Sequence, residues 1–178
     1  MKAVNPQDWS WCRELLAAVS FRPGDYGCLL RKDWATGMGC EIVASESAGR
    51  IPDPAIPRLS RALGSAGYDH CVAIPSEDLG SGVMPLELEV CEHDFRELNS
   101  VYGLYEFVIT VPERSWAISC NVWFNLFGAP PKLLGEILGM PLDRARQEFG
   151  EFARLVGGSI PGVGEMYAAR PGDPLGGP

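Results

Sequence analysis

The residues with reactive side chains are few: two histidines and six cysteines in 178 residues. His70-Cys71 and Cys91-Glu92-His93 bring imidazole and thiol together, the donor types of a zinc site or of a Cys–His nucleophile. Both pairs flank segments with strand character. Neighbouring side chains on a strand point to opposite faces, so His70 and Cys71 could not easily hold one ion. No pair of CxxC spacings is present. GxSxG, the phosphate-binding P-loop, HExxH and GxGxxG are also missing, and Gly37-Met38-Gly39 is too short to replace any of them. The carboxylate pairs Glu87/Glu89 and Glu92/Asp94 could suggest acid–base work. On an outward strand face, however, such groups stay solvated and ionised instead of gaining a raised pKa. The sequence therefore assigns no catalytic residue, metal or cofactor. The enzymatic alternative is a small cytosolic hydrolase or transferase using a Cys/His pair or zinc.

The same carboxylates fit a different chemistry. The net charge is −8, and residues 63–113 carry ten acids against the single base Arg96. The stretches on either side are close to balanced. Such a field repels nucleic acid and anionic membrane and steers a basic protein inward. The candidate partner-binding residues are Glu77, Asp78, Glu87, Glu89, Glu92, Asp94 and Glu97, with Tyr102, Tyr105 and Trp123 as aromatic anchors. The expected role is a non-catalytic acidic inhibitor of a basic protein, with its oligomeric state left open. No apolar run is long enough to cross a bilayer, and the first residues lack the apolar stretch of a signal peptide, so a cytoplasmic location is expected. The cysteines lie far apart, mostly within apolar runs, and are expected to be free thiols.

The elements that must position these groups can be read from periodicity. Leu86-Glu87-Leu88-Glu89-Val90 alternates strictly and predicts a half-buried strand. A helix follows over 91–102, with Phe95, Leu98, Val101 and Tyr102 on its stripe and Gly103 to end it. Residues 105–111 and 115–122 predict a hairpin, with Phe107, Ile109 and Val111 on one face and Trp116, Ile118 and Cys120 paired to it. Toward the N-terminus, Asn5-Pro6 caps a helix running to about Ser20. Short strands are expected near 28–31 and 41–44, with 33–39 a loop or bulge. A second helix, carrying Ile56, Leu59, Ala62 and Leu63, leads to a strand over 68–74. The segment 75–85 reads as a polar loop. Toward the C-terminus, helices are expected over 133–138 and 141–156.

The segment Tyr105-Glu106-Phe107-Val108-Ile109-Thr110-Val111-Pro112-Glu113-Arg114-Ser115-Trp116-Ala117-Ile118 resembles the strand–turn–strand of bacterial immunity proteins from polymorphic and contact-dependent toxin systems. The run Trp123-Phe124-Asn125-Leu126-Phe127-Gly128-Ala129-Pro130 and the helix beyond it extend that likeness across 105–130. The resemblance implies a cytoplasmic, non-catalytic α+β protein that neutralises a toxin, and it carries over no contact residue; the acidic charge suits a basic toxin such as a nuclease. The predicted architecture is a single α+β domain over 1–157. A central, mainly antiparallel sheet is packed by helices from both termini. Residues 158–178 form a Gly/Pro-rich irregular tail that could dock through Ile160, Val163, Met166 and Tyr167.

Overall fold

A computed structural model describes residues 1–24, 27–46, 49–76, 83–103 and 105–168. In chain order the elements are β1 (Lys2–Ala3), α1 (Trp9–Val19), β2 (Ser20–Phe21), β3 (Leu29–Leu30), α2 (Lys32–Gly37), β4 (Glu41–Glu46), α3 (Ile56–Ser65) and β5 (His70–Pro75). They continue with β6 (Leu86–Glu89), α4 (Glu92–Tyr102), β7 (Phe107–Thr110), β8 (Ala117–Cys120), β9 (Phe124–Ala129), α5 (Pro131–Leu138), α6 (Leu142–Val156) and α7 (Ile160–Ala168). Seven strands form one sheet in the order β1-β6-β5-β7-β8-β9-β4, every pair antiparallel, while β2 and β3 make a small ribbon. This is the α+β single domain that the sequence predicts.

Helices cover both faces of the sheet. Phe107, Ile109, Ile118, Cys120 and Phe127 point into a core shared with α3, α4 and α5. Val108, Ala117, Leu126, Ile42 and Ala44 point the other way, toward Trp34, α6 and α7. Val72 and Ile74 meet Cys12 and Leu15 of α1 on that second side. Strands buried on both faces lose the apolar–polar alternation. Hence the predicted hairpin pairs as expected, Ile109 opposite Ile118, but its second face is buried too. The aromatic run at 123–128 proves to be strand β9, paired with β4 from Glu41↔Ala129 to Glu46↔Phe124. Near the sheet edge, beside the short β1, β6 keeps the alternation, with Leu86 and Leu88 buried and Glu87 and Glu89 on the other face.

Two expectations change. Residues 33–39 are not a loop, since α2 forms there and buries Trp34 and Ala35. The Trp34 indole N–H donates to the Arg114 carbonyl at 2.9 Å, which ties the helix to the β7–β8 turn. Its ring lies against Gly128, where a methyl group would come within 2.8 Å of Cζ3. The tail is not irregular from 158, because α7 runs from Ile160 to Ala168. It docks through Ile160, Val163 and Tyr167, whose hydroxyl donates to the Leu30 carbonyl at 2.7 Å. Gly164 faces Phe149 and Ala153 on α6, where a methyl group would make ordinary van der Waals contact. Residues 169–178 lie outside the described part of the chain.

Candidate partner-binding surface

β6 sets the first part of the site. Leu86 and Leu88 enter the same core as Phe95 and Leu98 of α4. By strand alternation Glu87 and Glu89 therefore project from the face opposite α4. Register places Lys2 and Val72 on either side of Glu87, and His70 beside Glu89. Lys2 Nζ approaches Glu87 Oε2 at 2.7 Å, an exposed pair of small energetic weight.

α4 supplies the second part. Its first turn is capped by the Cys91 sulfur, which accepts from the Asp94 N–H at 3.5 Å. Glu92, His93, Arg96 and Glu97 are exposed along the helix. Arg96 Nη2 reaches Glu92 at 3.4 Å, and His93 lies 3.8 Å from Glu97. The acids thus wrap around the β1–β6 edge from the sheet face onto α4. Glu87 and Glu89 share the outward face of β6 while Glu92 and Glu97 stand on α4, and Glu87 and Glu92 each carry a local cation.

Two expected contact residues turn inward. Asp94 is 3% exposed, and its Oδ2 accepts the Glu89 N–H at 2.8 Å and pairs with the Met1 ammonium at 2.8 Å. Burial opposes its charge, but the ammonium and the Glu89 amide outweigh that and hold the carboxyl below its ordinary range. Reciprocally, the hydrogen bond to Asp94 raises the Met1 ammonium above its usual value. Tyr102 is 1% exposed, with its hydroxyl between the carbonyls of Ala73 at 3.0 Å and Met84 at 2.9 Å. Its ring packs 5.0 Å from that of Phe107. Asp94 and Tyr102 therefore brace α4 against the sheet and are unavailable to a partner. Glu77 and Asp78 lie outside the described residues.

The remaining aromatics sit at the opposite end of the sheet. Phe107 pairs with Cys120, so Tyr105 and Trp123 lie beyond the strand ends farthest from His70 and Glu89. The Asn121 N–H donates to the Phe124 carbonyl at 3.0 Å, closing a two-residue tip of Val122 and Trp123. Trp123 is 59% exposed there, and Tyr105 and Val122 are also exposed. Beside the tip, a cleft is floored by Glu106 and Asn121. Arg22 Nη2 pairs with Glu106 at 3.0 Å, and Asn121 Oδ1 accepts the Cys28 N–H at 2.8 Å. Gly27, at φ +71°, passes so close that a methyl group would sit 2.5 Å from Glu106 Oε1. Arg22, Glu106 and Asn121 have no sequence signal as a group, since more than eighty residues separate Arg22 from Glu106.

Most of the thiols open to the nucleophilic alternative are buried, and Cys91 is the exception. All six cysteines are free, and all but Cys91 are buried. Burial pushes Cys12 and Cys40 to about 11 and Cys71 and Cys120 higher still. Burial likewise raises Cys28, although Ser20 and Ser119 oppose it. The donor atoms of His93, Asp94 and Glu97 lie within 4.8 Å of one another, but the Asp94 charge is already balanced by Met1. Among the described residues, no helix is long and apolar enough to cross a membrane. Compared with protein-family models, curated proteins and solved structures, the chain matches none.

Proposed function

We propose that this chain is a non-catalytic protein-binding inhibitor, an acidic protein of the immunity type that neutralises a basic, nuclease-like toxin domain in a bacterial cytoplasm. One observation carries the reading. At the edge formed by β1, β6 and α4, the carboxylates of Glu87, Glu89, Glu92 and Glu97 gather, and the basic side chains paired with them among the described residues are Lys2, Arg96 and His93. An edge of that composition accelerates encounter with a basic surface and penalises acidic competitors, nucleic acid and anionic membrane included. Tyr105 and Trp123, at the far end, would act on dissociation if the partner spans both regions. The likeness of 105–130 to immunity-protein hairpins points the same way. The buried, protonated thiols give the enzymatic alternative no comparable support.

The test uses the product of the adjacent reading frame as partner and follows association by biolayer interferometry over a salt series. Glu89→Lys with Glu97→Lys, neither of which carries an Arg or Lys partner among the described residues, should slow association roughly tenfold at low salt and flatten its salt dependence. Association that is indifferent to both substitution and salt would refute electrostatic recruitment at this edge.

A further inference from the structure

A cleft of about 350 Å³, partly open to solvent, lies between β4, α5 and α6, away from the acidic edge. Phe127, Leu138, Met140, Phe149 and Phe152 make its apolar walls, and Glu46 and Arg58 border it. Clefts of a few hundred cubic ångströms with apolar walls and a few polar groups are the size of small-molecule sites.

The two charges at the border stand on exposed residues, and Arg58 is the one anchored by its contacts. Arg58 Nε donates to the Ile137 carbonyl at 2.7 Å. Its stem lies across Gly139, at φ +69°, where a methyl group would come within 2.7 Å of Arg58 Cδ. That hydrogen bond and the stem's close packing fix the guanidinium and leave both Nη groups without a carboxylate among the described residues. The Glu46 carboxylate likewise has no cation among them, and the two side chains do not pair with each other. The third charge on the rim, Glu148, is held by Arg144 at 2.8 Å.

An apolar chamber bordered by one unmatched cation and one unmatched anion is complementary to a zwitterion with an apolar tail. We propose that this cavity binds a free α-amino acid with a large apolar side chain. Its carboxylate meets the Arg58 Nη groups, its ammonium meets Glu46, and its side chain lies among Phe127, Phe149 and Phe152. A fatty acid would satisfy Arg58 but leave Glu46 without a cation, and a simple amine would satisfy Glu46 but leave Arg58 unmatched. The inference stands apart from the inhibitor reading and needs no protein partner.

Isothermal titration of the full chain with L-phenylalanine, L-leucine and L-methionine tests it, with 3-phenylpropionate, phenethylamine and glycine as controls. The amino acids should bind with Kd values of about 10 µM to 1 mM, and each single-charge analogue at least about tenfold more weakly. Glycine should give no heat. Arg58→Gln and Glu46→Gln, both away from the core, should each weaken L-phenylalanine about tenfold. Ala145→Leu, which extends a side chain into the cavity, should abolish binding. The proposal is overturned by no binding of any apolar amino acid at about 10 mM. It is equally overturned by equal affinity for phenethylamine and L-phenylalanine, or by affinity unchanged in both charge variants.

Discussion

Asn99 on α4 is a severe test of how the loop before α3 is held. Its Oδ1 accepts the Ile51 N–H at 3.1 Å, and its Nδ2 donates to the Ile51 carbonyl at 2.8 Å. One side chain thus satisfies both backbone groups of a residue with no exposed surface. Asn99→Ala strands a buried donor and a buried acceptor, each worth about 1–3 kcal/mol when left unmade, so the loss should be roughly 2–6 kcal/mol. With a urea m-value of about 2 kcal/mol/M, the midpoint should fall by about 1–3 M at unchanged slope. Tryptophan fluorescence during urea unfolding reads it. Asn99→Asp sharpens the test, since it keeps the acceptor but turns an oxygen toward the Ile51 carbonyl. Burial and that carbonyl raise the new carboxyl's folded pKa above its unfolded value of about 3.9. The protonated form then donates as the amide did, so the penalty is small below that unfolded value and grows as pH rises through the folded one. A midpoint shift for Asn99→Ala below about 0.25 M, or an Asn99→Asp penalty that is flat from about pH 4 to 7, would refute the reasoning.

The other predictions probe different parts of the molecule. Ellman titration of the native protein at mildly alkaline pH should find Cys91 reacting first, with Cys12, Cys28, Cys40, Cys71 and Cys120 reacting only on unfolding in guanidinium chloride. Gly128→Ala presses a methyl group onto the buried Trp34 ring and should cost about 1–3 kcal/mol, read as a lower melting temperature. The pairing of Asp94 with Met1 makes stability depend on pH at both ends. The depressed Asp94 pKa contributes stability above the ordinary carboxyl value of 3.8, and this is lost as pH falls through the folded value. The raised ammonium contributes below its ordinary value of 8.0, and this is lost as pH rises through the folded value. Asp94→Asn should therefore flatten both limbs of a stability–pH curve, and an unaltered curve would show that the pair is inert.

Where the environment of a segment is two-sided in the ordinary way, sequence reports it well. β6 borders solvent on one face, and the alternation of Leu86, Glu87, Leu88 and Glu89 gives both its type and its orientation. β9 has helices on both faces, so Phe124, Leu126 and Phe127 read as an aromatic crowd without a period. In α7, Pro161, Gly162 and Gly164 mask a helix stabilised by docking instead of by propensity. The site was legible as a charge excess but not as a geometry. Charge does not report which way Asp94 faces, and its partner is the first residue of the chain, 93 positions away in sequence. Tyr102 lies on the helix stripe that is buried, a stripe made by Phe95, Leu98, Asn99 and Tyr102 from which Val101 is left exposed.

The pairing of β4 with β9 sets an order of assembly. β7, β8 and β9 follow one another closely in sequence and can zip together through short loops. Glu41–Glu46 must wait for Phe124–Ala129, so on the ribosome β4 stays without its sheet partner until late in synthesis. Any cut or stall before residue 124 should leave an apolar strand with an open edge, a species for chaperones to hold and proteases to clear.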